Sequence, residues 1–532
     1  MSFPRKNEFY LVLAILALAA VVRAWGIGYG LPSTYCRPDE DRLIAVALRL
    51  SPSDLDPGYY LWPGLPFYLS RLLLSAAARL RPALSGGSSL GLYLRDPAFV
   101  HLLFRAVFLL SGLATVYLLY RVGRRLFSPA AGILAAFFLA LSFLHVRDSR
   151  FAMLDIPAAL LAVAFFLPAA AILRRGRVRD YLASGLLLGL ATGVKYYGIV
   201  LAVPLLAAHF SRFPAGGNRR SGRLSAALAA AGAVFFLVSP YTVLAGAAAF
   251  REIRGEILSG QFVTGFRLLP EITTPRGWLY HPLFSLRWGM GWPLALSALL
   301  GTGYCGWRAF RSGAGERMIL AFILAFYFAL AGQRSCFIRY TTVLLPFLCL
   351  ATAVFLDRLL PRRPGRGLLL AGAAILLTVE PGLRIVRLDA LLSRTDTRLT
   401  AGSWMRENIP NSDLLIFPQP LLWVRPEGHQ FYPHRAILPP GSGPEELRSL
   451  LELPFPGRKW VITGEHPLAY ADLEPGIREM LAAAGGPIRE FSGLKNQGRG
   501  AVFDPFDAFF VPLAGFSGVA DPGPDIRIYR WE

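Results

Sequence analysis

Stretches of mostly apolar residues recur along the first 380 positions, each separated from the next by a polar gap. A helix needs about 20 such residues to cross the hydrocarbon of a bilayer. Centres near Ala17, Leu110, Phe138, Val163, Leu188, Pro204, Phe235, Leu296, Leu324, Phe347 and Ala373 predict about eleven spans. The stretch 66–80 is shorter and is interrupted by Arg71 and Arg79, so it reads as an amphipathic helix lying in the interface. Beyond about position 383 the pattern changes. Pro, Gly and charge increase, β-like runs appear at 414–417, 460–463 and 526–529, and a helical period appears near 474–484. The expected organisation is a membrane domain over 1–382 followed by a small α/β domain over 383–532.

Charge orients these spans. The 532 residues carry a formal charge of +21 but are 54% hydrophobic and only 17% charged, against roughly 25% charged in soluble domains. In so apolar a chain the excess is better read as topology than as nucleic-acid binding, because Lys and Arg gather in cytoplasmic loops. Arg5 and Lys6, then Arg121, Arg124 and Arg125, Arg174 to Arg179, Arg212 to Arg223, Arg308 to Arg317 and Arg358 to Arg366 fall in alternate gaps. Placing all of them inside leaves the N-terminus cytoplasmic and the tail outside. The outer face then holds the first loop (31–98), a turn at 145–155, a loop over 240–282 and the tail. The first span, with its basic start and no small-residue cleavage site, reads as an uncleaved anchor. The four cysteines show no CxxC or Cys/His spacing, which removes disulfide scaffolds and zinc fingers. A disulfide between Cys36 and Cys336, both in outer segments, stays open.

Charged groups at membrane depth are costly and usually functional, so the outer helix ends hold the candidates. Arg37-Pro38-Asp39-Glu40-Asp41-Arg42 follows the first span. Its carboxylates can act as a general base or bind a cation, or simply open a helix behind Pro38. His145-Val146-Arg147-Asp148-Ser149-Arg150 precedes Asp155-Ile156-Pro157, where Asp155 can be a helix N-cap. Asp148 and Asp155 share a face only if the residues between them are helical. Lys195-Tyr196-Tyr197 is notable because the chain has only three other lysines. A cation among tyrosines suits a phosphate, or the side chain snorkels. Arg334, Arg339 and Tyr340 at the start of the tenth span admit the same two readings.

In order, these clusters resemble the GT-C glycosyltransferases of the protein O-mannosyltransferase and aminoarabinose-transferase type. The acidic first loop, the Pro/Tyr-rich Gly58-Tyr59-Tyr60-Leu61-Trp62-Pro63-Gly64, the turn Arg121-Val122-Gly123-Arg124-Arg125 and Asp148-Ser149-Arg150-Phe151-Ala152-Met153-Leu154-Asp155 carry the likeness. So do Thr192-Gly193-Val194-Lys195-Tyr196, Arg339-Tyr340, and Asp396-Thr397-Arg398 with Trp404 and Asn408-Ile409-Pro410. The resemblance implies transfer of a hexosyl or pentosyl group from a polyprenyl-phosphate donor to a protein, lipid or glycan acceptor at the outer face of a cell membrane. It implies Asp39 as the base with Glu40 as neighbour or alternative, and Lys195 and Arg339 at the leaving phosphate. Asp148, Arg150, Asp155, Tyr196 and Tyr340 would contribute to substrate binding. Many members have His where this chain has Arg37, which leaves a divalent metal ion open.

Two other classes compete. A secondary transporter places ionisable groups mid-membrane within internal repeats, whereas these acids lie at loop edges and no repeat is visible. A membrane-anchored scaffold with an outer binding domain has no need of acidic and basic clusters on one face.

Overall fold

The computed structural model describes residues 5–33, 36–214, 218–259, 277–311, 313–333, 336–361, 363–419, 433–439, 441–468, 471–507 and 509–531. Arg334, and positions 260–276 of the loop expected over 240–282, lie outside the described residues. The chain divides into two compact units. One takes in described residues up to 27, 42–259 and 277–386. The other joins 28–41 to the tail from 387 onward.

The first unit is helical, and every expected span centre falls inside a helix. By length and composition, six helices among the described residues can cross a membrane, or seven if one bent pair counts as a span. Two of the others are short because the turns before them are wound as 3₁₀ helix. Tyr196–Leu201 precedes the helix Ala202–Arg212, and Ile338–Val343 precedes Leu345–Leu359. Helix starts follow local chemistry. Asp96 caps Pro97–Leu126 by accepting from the Phe99 N–H at 2.9 Å, and Ser128 caps Pro129–Ala140 through Ala131 at 3.0 Å. Proline follows each cap, where its missing N–H costs nothing. The stretch 66–80 forms a helix, Leu65–Leu80, which buries Phe67 and Leu74.

The bent pair is Pro129–Ala140 with Phe143–Ser149, turned by 63°. A break frees carbonyls that lipid cannot satisfy. Here Arg23 from the first helix donates to Leu139 O at 3.2 Å and Ala140 O at 3.1 Å. Its guanidinium, fully buried, so closes the end of the broken helix. Elsewhere small residues bring backbones together. A β-carbon on Gly185 would stand 2.2 Å from the Ala227 carbonyl oxygen, and one on Gly189 2.6 Å from that of Ala231. The helix Val178–Val194 therefore packs directly on the backbone of Asn218–Val238.

The second unit is a five-stranded mixed sheet with strands β1 (Leu414–Phe417), β2 (Arg435–Ile437), β3 (Lys459–Glu465), β4 (Arg489–Phe491) and β5 (Asp525–Trp531). The order is β2-β1-β3-β5-β4. β1 is parallel to β2 and β3, while β5 is antiparallel to β3 and β4. Side chains alternate across β3. Trp460 and Ile462 pack with Ala401 and Met405 of the helix Thr397–Asn408 on one face. Val461 packs with Leu447 and Ile477, from the helices Pro444–Glu452 and Pro475–Ala483, on the other. The three strands and the helix expected in the tail are all present, with β2 and β4 in addition.

Candidate functional site

In the first unit the broken span, two 3₁₀ turns and one helix start bring polar groups together. The helix Asp155–Arg174 begins at Asp155, whose cap is Leu154; the carboxylate lies in the first turn. Its Oδ1 accepts from Lys195 Nζ at 2.6 Å and from the Tyr197 hydroxyl at 2.7 Å. Its Oδ2 is buried and has no hydrogen-bond partner among the described residues. Lys195 also lies 5.3 Å from the Tyr197 ring centre and 5.4 Å from that of Tyr340. Two aromatic faces and one carboxylate thus hold a largely buried ammonium, 13% exposed.

Tyr340 and Arg339 belong to the turn Ile338–Val343. The Arg339 guanidinium stacks on Phe337 at 4.2 Å and is half-buried. From the same turn, Thr342 donates to Asp148 Oδ2 at 3.0 Å, while Arg147 holds Oδ1 at 2.8 Å. Asp148 is therefore engaged on both oxygens. The residues between Ser149 and Asp155 are not helical, so the two acids share no helical face and reach different partners. Arg150 is fully buried and donates to Val22 O of the first helix at 2.7 Å. Tyr196 points to Tyr60 O at 2.7 Å and Thr242 at 3.4 Å. Tyr197 joins the Lys195 cluster in its place.

In the second unit the acidic pair opens the helix Pro38–Arg49, with Asp39, Glu40 and Asp41 in its first turn. Glu40 is fully buried and Asp39 half-buried. What holds this segment is a set of buried ionic and aromatic contacts to the tail. Arg37 donates to Asp507 Oδ1 at 2.7 Å, with both side chains nearly inaccessible, and lies over Phe509 at 4.7 Å. Tyr29 donates to Asp396 Oδ2 at 2.6 Å and meets the Phe509 ring edge-on. Asp396 in turn caps the helix Thr397–Asn408 and takes both Arg398 Nε and Nη2 at 2.8 Å. Burial, and then the Asp396 carboxylate, hold the Tyr29 phenol well above its usual range. Burial, and then the Arg398 cation, push the His466 imidazole down to about 3. His466 is therefore a neutral ring wedged between Phe503 and Phe510.

All four cysteines are buried. Among the described residues no group of three His, Cys, Asp or Glu side chains could hold a metal ion. The sequence marked Tyr197 only as a neighbour in Lys195-Tyr196-Tyr197, and gave no signal for Tyr29 or Asp507.

Residues 93–244 match a family model described as dolichyl-phosphate-mannose-protein mannosyltransferase. No curated protein matches the sequence. Among solved structures, ArnT from Cupriavidus metallidurans in the apo state is similar with a TM-score of 0.53 and 15% identity, covering 97% of both chains. The same protein bound to undecaprenyl phosphate gives 0.51 and 14% over the same shares. The apo oligosaccharyltransferase of Archaeoglobus fulgidus gives 0.51 and 15%, covering 86% of this chain and 69% of that one. The GT-C resemblance carried by the motifs is thus borne out by the family model and by the fold.

Proposed function

We propose that the chain is an inverting membrane glycosyltransferase moving a hexosyl or pentosyl group from a polyprenyl-phosphate donor to an acceptor hydroxyl at the outer face. The observation that carries this reading is the Lys195–Asp155–Tyr197 cluster. It is a buried cation preset at a helix end, beside a carboxylate oxygen that has no partner among the described residues. An ammonium so placed suits the charge that grows on a leaving phosphate. The free Asp155 oxygen suits a sugar hydroxyl. ArnT, whose fold the chain shares, has been seen with undecaprenyl phosphate, which favours the same class of donor. The alternation of arginine clusters supports eleven spans with a cytoplasmic N-terminus and the tail outside.

In this reading the acceptor oxygen attacks the anomeric carbon as the carbon–oxygen bond to phosphate breaks, through an oxocarbenium-like state. Asp39 takes the acceptor proton. Lys195 and Arg339 stabilise the polyprenyl phosphate that leaves, and a single displacement inverts the anomeric centre. Tyr340 backs the ammonium with its ring. Protein, lipid and glycan acceptors all satisfy this chemistry.

The test is transfer of radiolabel from polyprenyl-phosphate sugars in membranes holding the full chain. A general base contributes roughly 10²–10⁴ in rate. Asp39→Asn is expected to lose most turnover while expressing normally, and Glu40→Gln to be milder. Asp39→Asn activity within about threefold of the parent would remove Asp39 from the mechanism, since no general base is that dispensable. A dead Glu40→Gln beside an active Asp39→Asn would exchange their roles.

A further inference from the structure

We infer that the opposite end of the Asp155–Arg174 helix carries a second, separate binding site, which takes the phosphate headgroup of an anionic phospholipid. That helix has 20 residues, so its two ends lie about 30 Å apart at 1.5 Å per residue. At the Arg174 end, Arg121, Arg124, Arg125, Arg174 and Pro129 line an open cleft of about 370 Å³. The cleft sits where three helix ends meet: the last turns of Pro97–Leu126 and Asp155–Arg174, and the first turn of Pro129–Ala140.

The arginines are anchored there. Arg174 donates to Arg125 O, Arg125 donates to Leu167 O at 3.3 Å, and Arg121 donates to the Tyr117 hydroxyl at 2.8 Å. Each of these contacts spends a guanidinium N–H on a neutral oxygen and leaves the charge uncompensated. Among the described residues one carboxylate faces the four, Glu8, which pairs with Arg124 at 2.8 Å. Three positive charges therefore converge on a concave surface without a counter-ion among the described residues. Guanidinium groups match phosphate oxygens in a planar, two-pronged geometry.

A lipid is favoured over a free anion by what continues from the cleft. Leu110, Tyr117 and Arg121 are spaced by seven and four residues, which puts them on one face of their helix. Leu110 is 62% exposed and Tyr117 37%. An apolar stripe thus runs from the cleft down the lipid-facing side of a membrane span, where acyl chains would lie. Basic pockets between helix ends are a recognised form of anionic headgroup site.

Native mass spectrometry of the full chain, exposed to equimolar phosphatidylglycerol and phosphatidylcholine, tests this. The parent should retain phosphatidylglycerol preferentially. Arg121→Gln and Arg174→Gln should each weaken that preference about fivefold. Arg121→Gln alone gives the reading if Arg174→Gln does not fold, because the anchor of Arg121 is only a tyrosine hydroxyl. Lys195→Met/Asp155→Leu, which removes both charges of the buried pair at the other end of the helix, should keep the preference; losing it there would place the lipid at that end and overturn the assignment. An unchanged preference in both cleft variants would overturn it as well. So would displacement of phosphatidylglycerol by inorganic phosphate, which would make the cleft a free-anion site.

Discussion

Lys195 and Asp155 make contact at 2.6 Å with side chains 13% and 1% exposed, and this changes what a mutation at either position means. Removing one partner of a buried pair leaves an uncompensated charge and costs about 3–5 kcal/mol, whereas replacing both with apolar groups of similar volume is often neutral. Lys195→Met is therefore expected to lose donor turnover and thermal stability together. Lys195→Met/Asp155→Leu should regain the melting temperature and stay inactive with polyprenyl-phosphate sugars. A double variant that transfers sugar at near the parent rate would reduce the pair to a structural tie. Lys195 was legible in the sequence because lysine is so scarce in this chain. That it pairs with Asp155 and Tyr197 was not. In an α-helix Tyr196 and Tyr197 point about 100° apart, but the segment is a 3₁₀ turn entered from an extended Lys195. That local winding, which no apolar period reports, sends Tyr197 to Asp155 and Tyr196 to Tyr60.

Among the elements, apolar length was the most legible signal, since every expected span centre lies within a helix. Where the helices break was less so. Proline marks both 3₁₀-to-helix junctions, at Pro204 and Pro346. The 63° break before Phe143 carries no proline or glycine; it is closed from another helix by Arg23. Close helix pairs are written in small residues, which composition alone does not distinguish from ordinary alanine-rich spans. Gly185 is the sharpest case, because the atom its side chain would strike is a backbone carbonyl that cannot rotate away. Gly185→Val is expected to destabilise the membrane domain by about 1–3 kcal/mol or more, seen as a lower melting temperature of the detergent-purified chain. Gly222 faces open space on the partner helix, so Gly222→Ala should leave it unchanged. Equal melting of Gly185→Val and the parent would mean that the two backbones do not meet there.

At the scale of the molecule, composition marked the tail as a separate α/β region, and its strands could be read from short alternating runs. That the acidic first loop folds with this tail could not be read, because the contacts join residues far apart along the chain. Arg37 and Asp507 are 470 positions apart, and Tyr29 and Asp396 are 367. The arginine that stands where many GT-C proteins have histidine is thus occupied in a buried ion pair, backed by Phe509. Arg37 lies two residues before Asp39, so the pair fixes the backbone from which the proposed base projects. Asp507 is accordingly a positioning residue. Asp507→Ala, which removes the carboxylate that Arg37 donates to, should lower the melting temperature of the purified chain. It should also lower kcat with little change in donor KM, because the residues proposed to bind the phosphate belong to the other unit. Arg37→Met/Asp507→Leu, which keeps the packing and removes both charges, should restore the melting temperature and part of kcat. If Asp507→Ala is well folded and turns over like the parent, the clamp serves folding alone and the acidic loop is positioned by its own helix start.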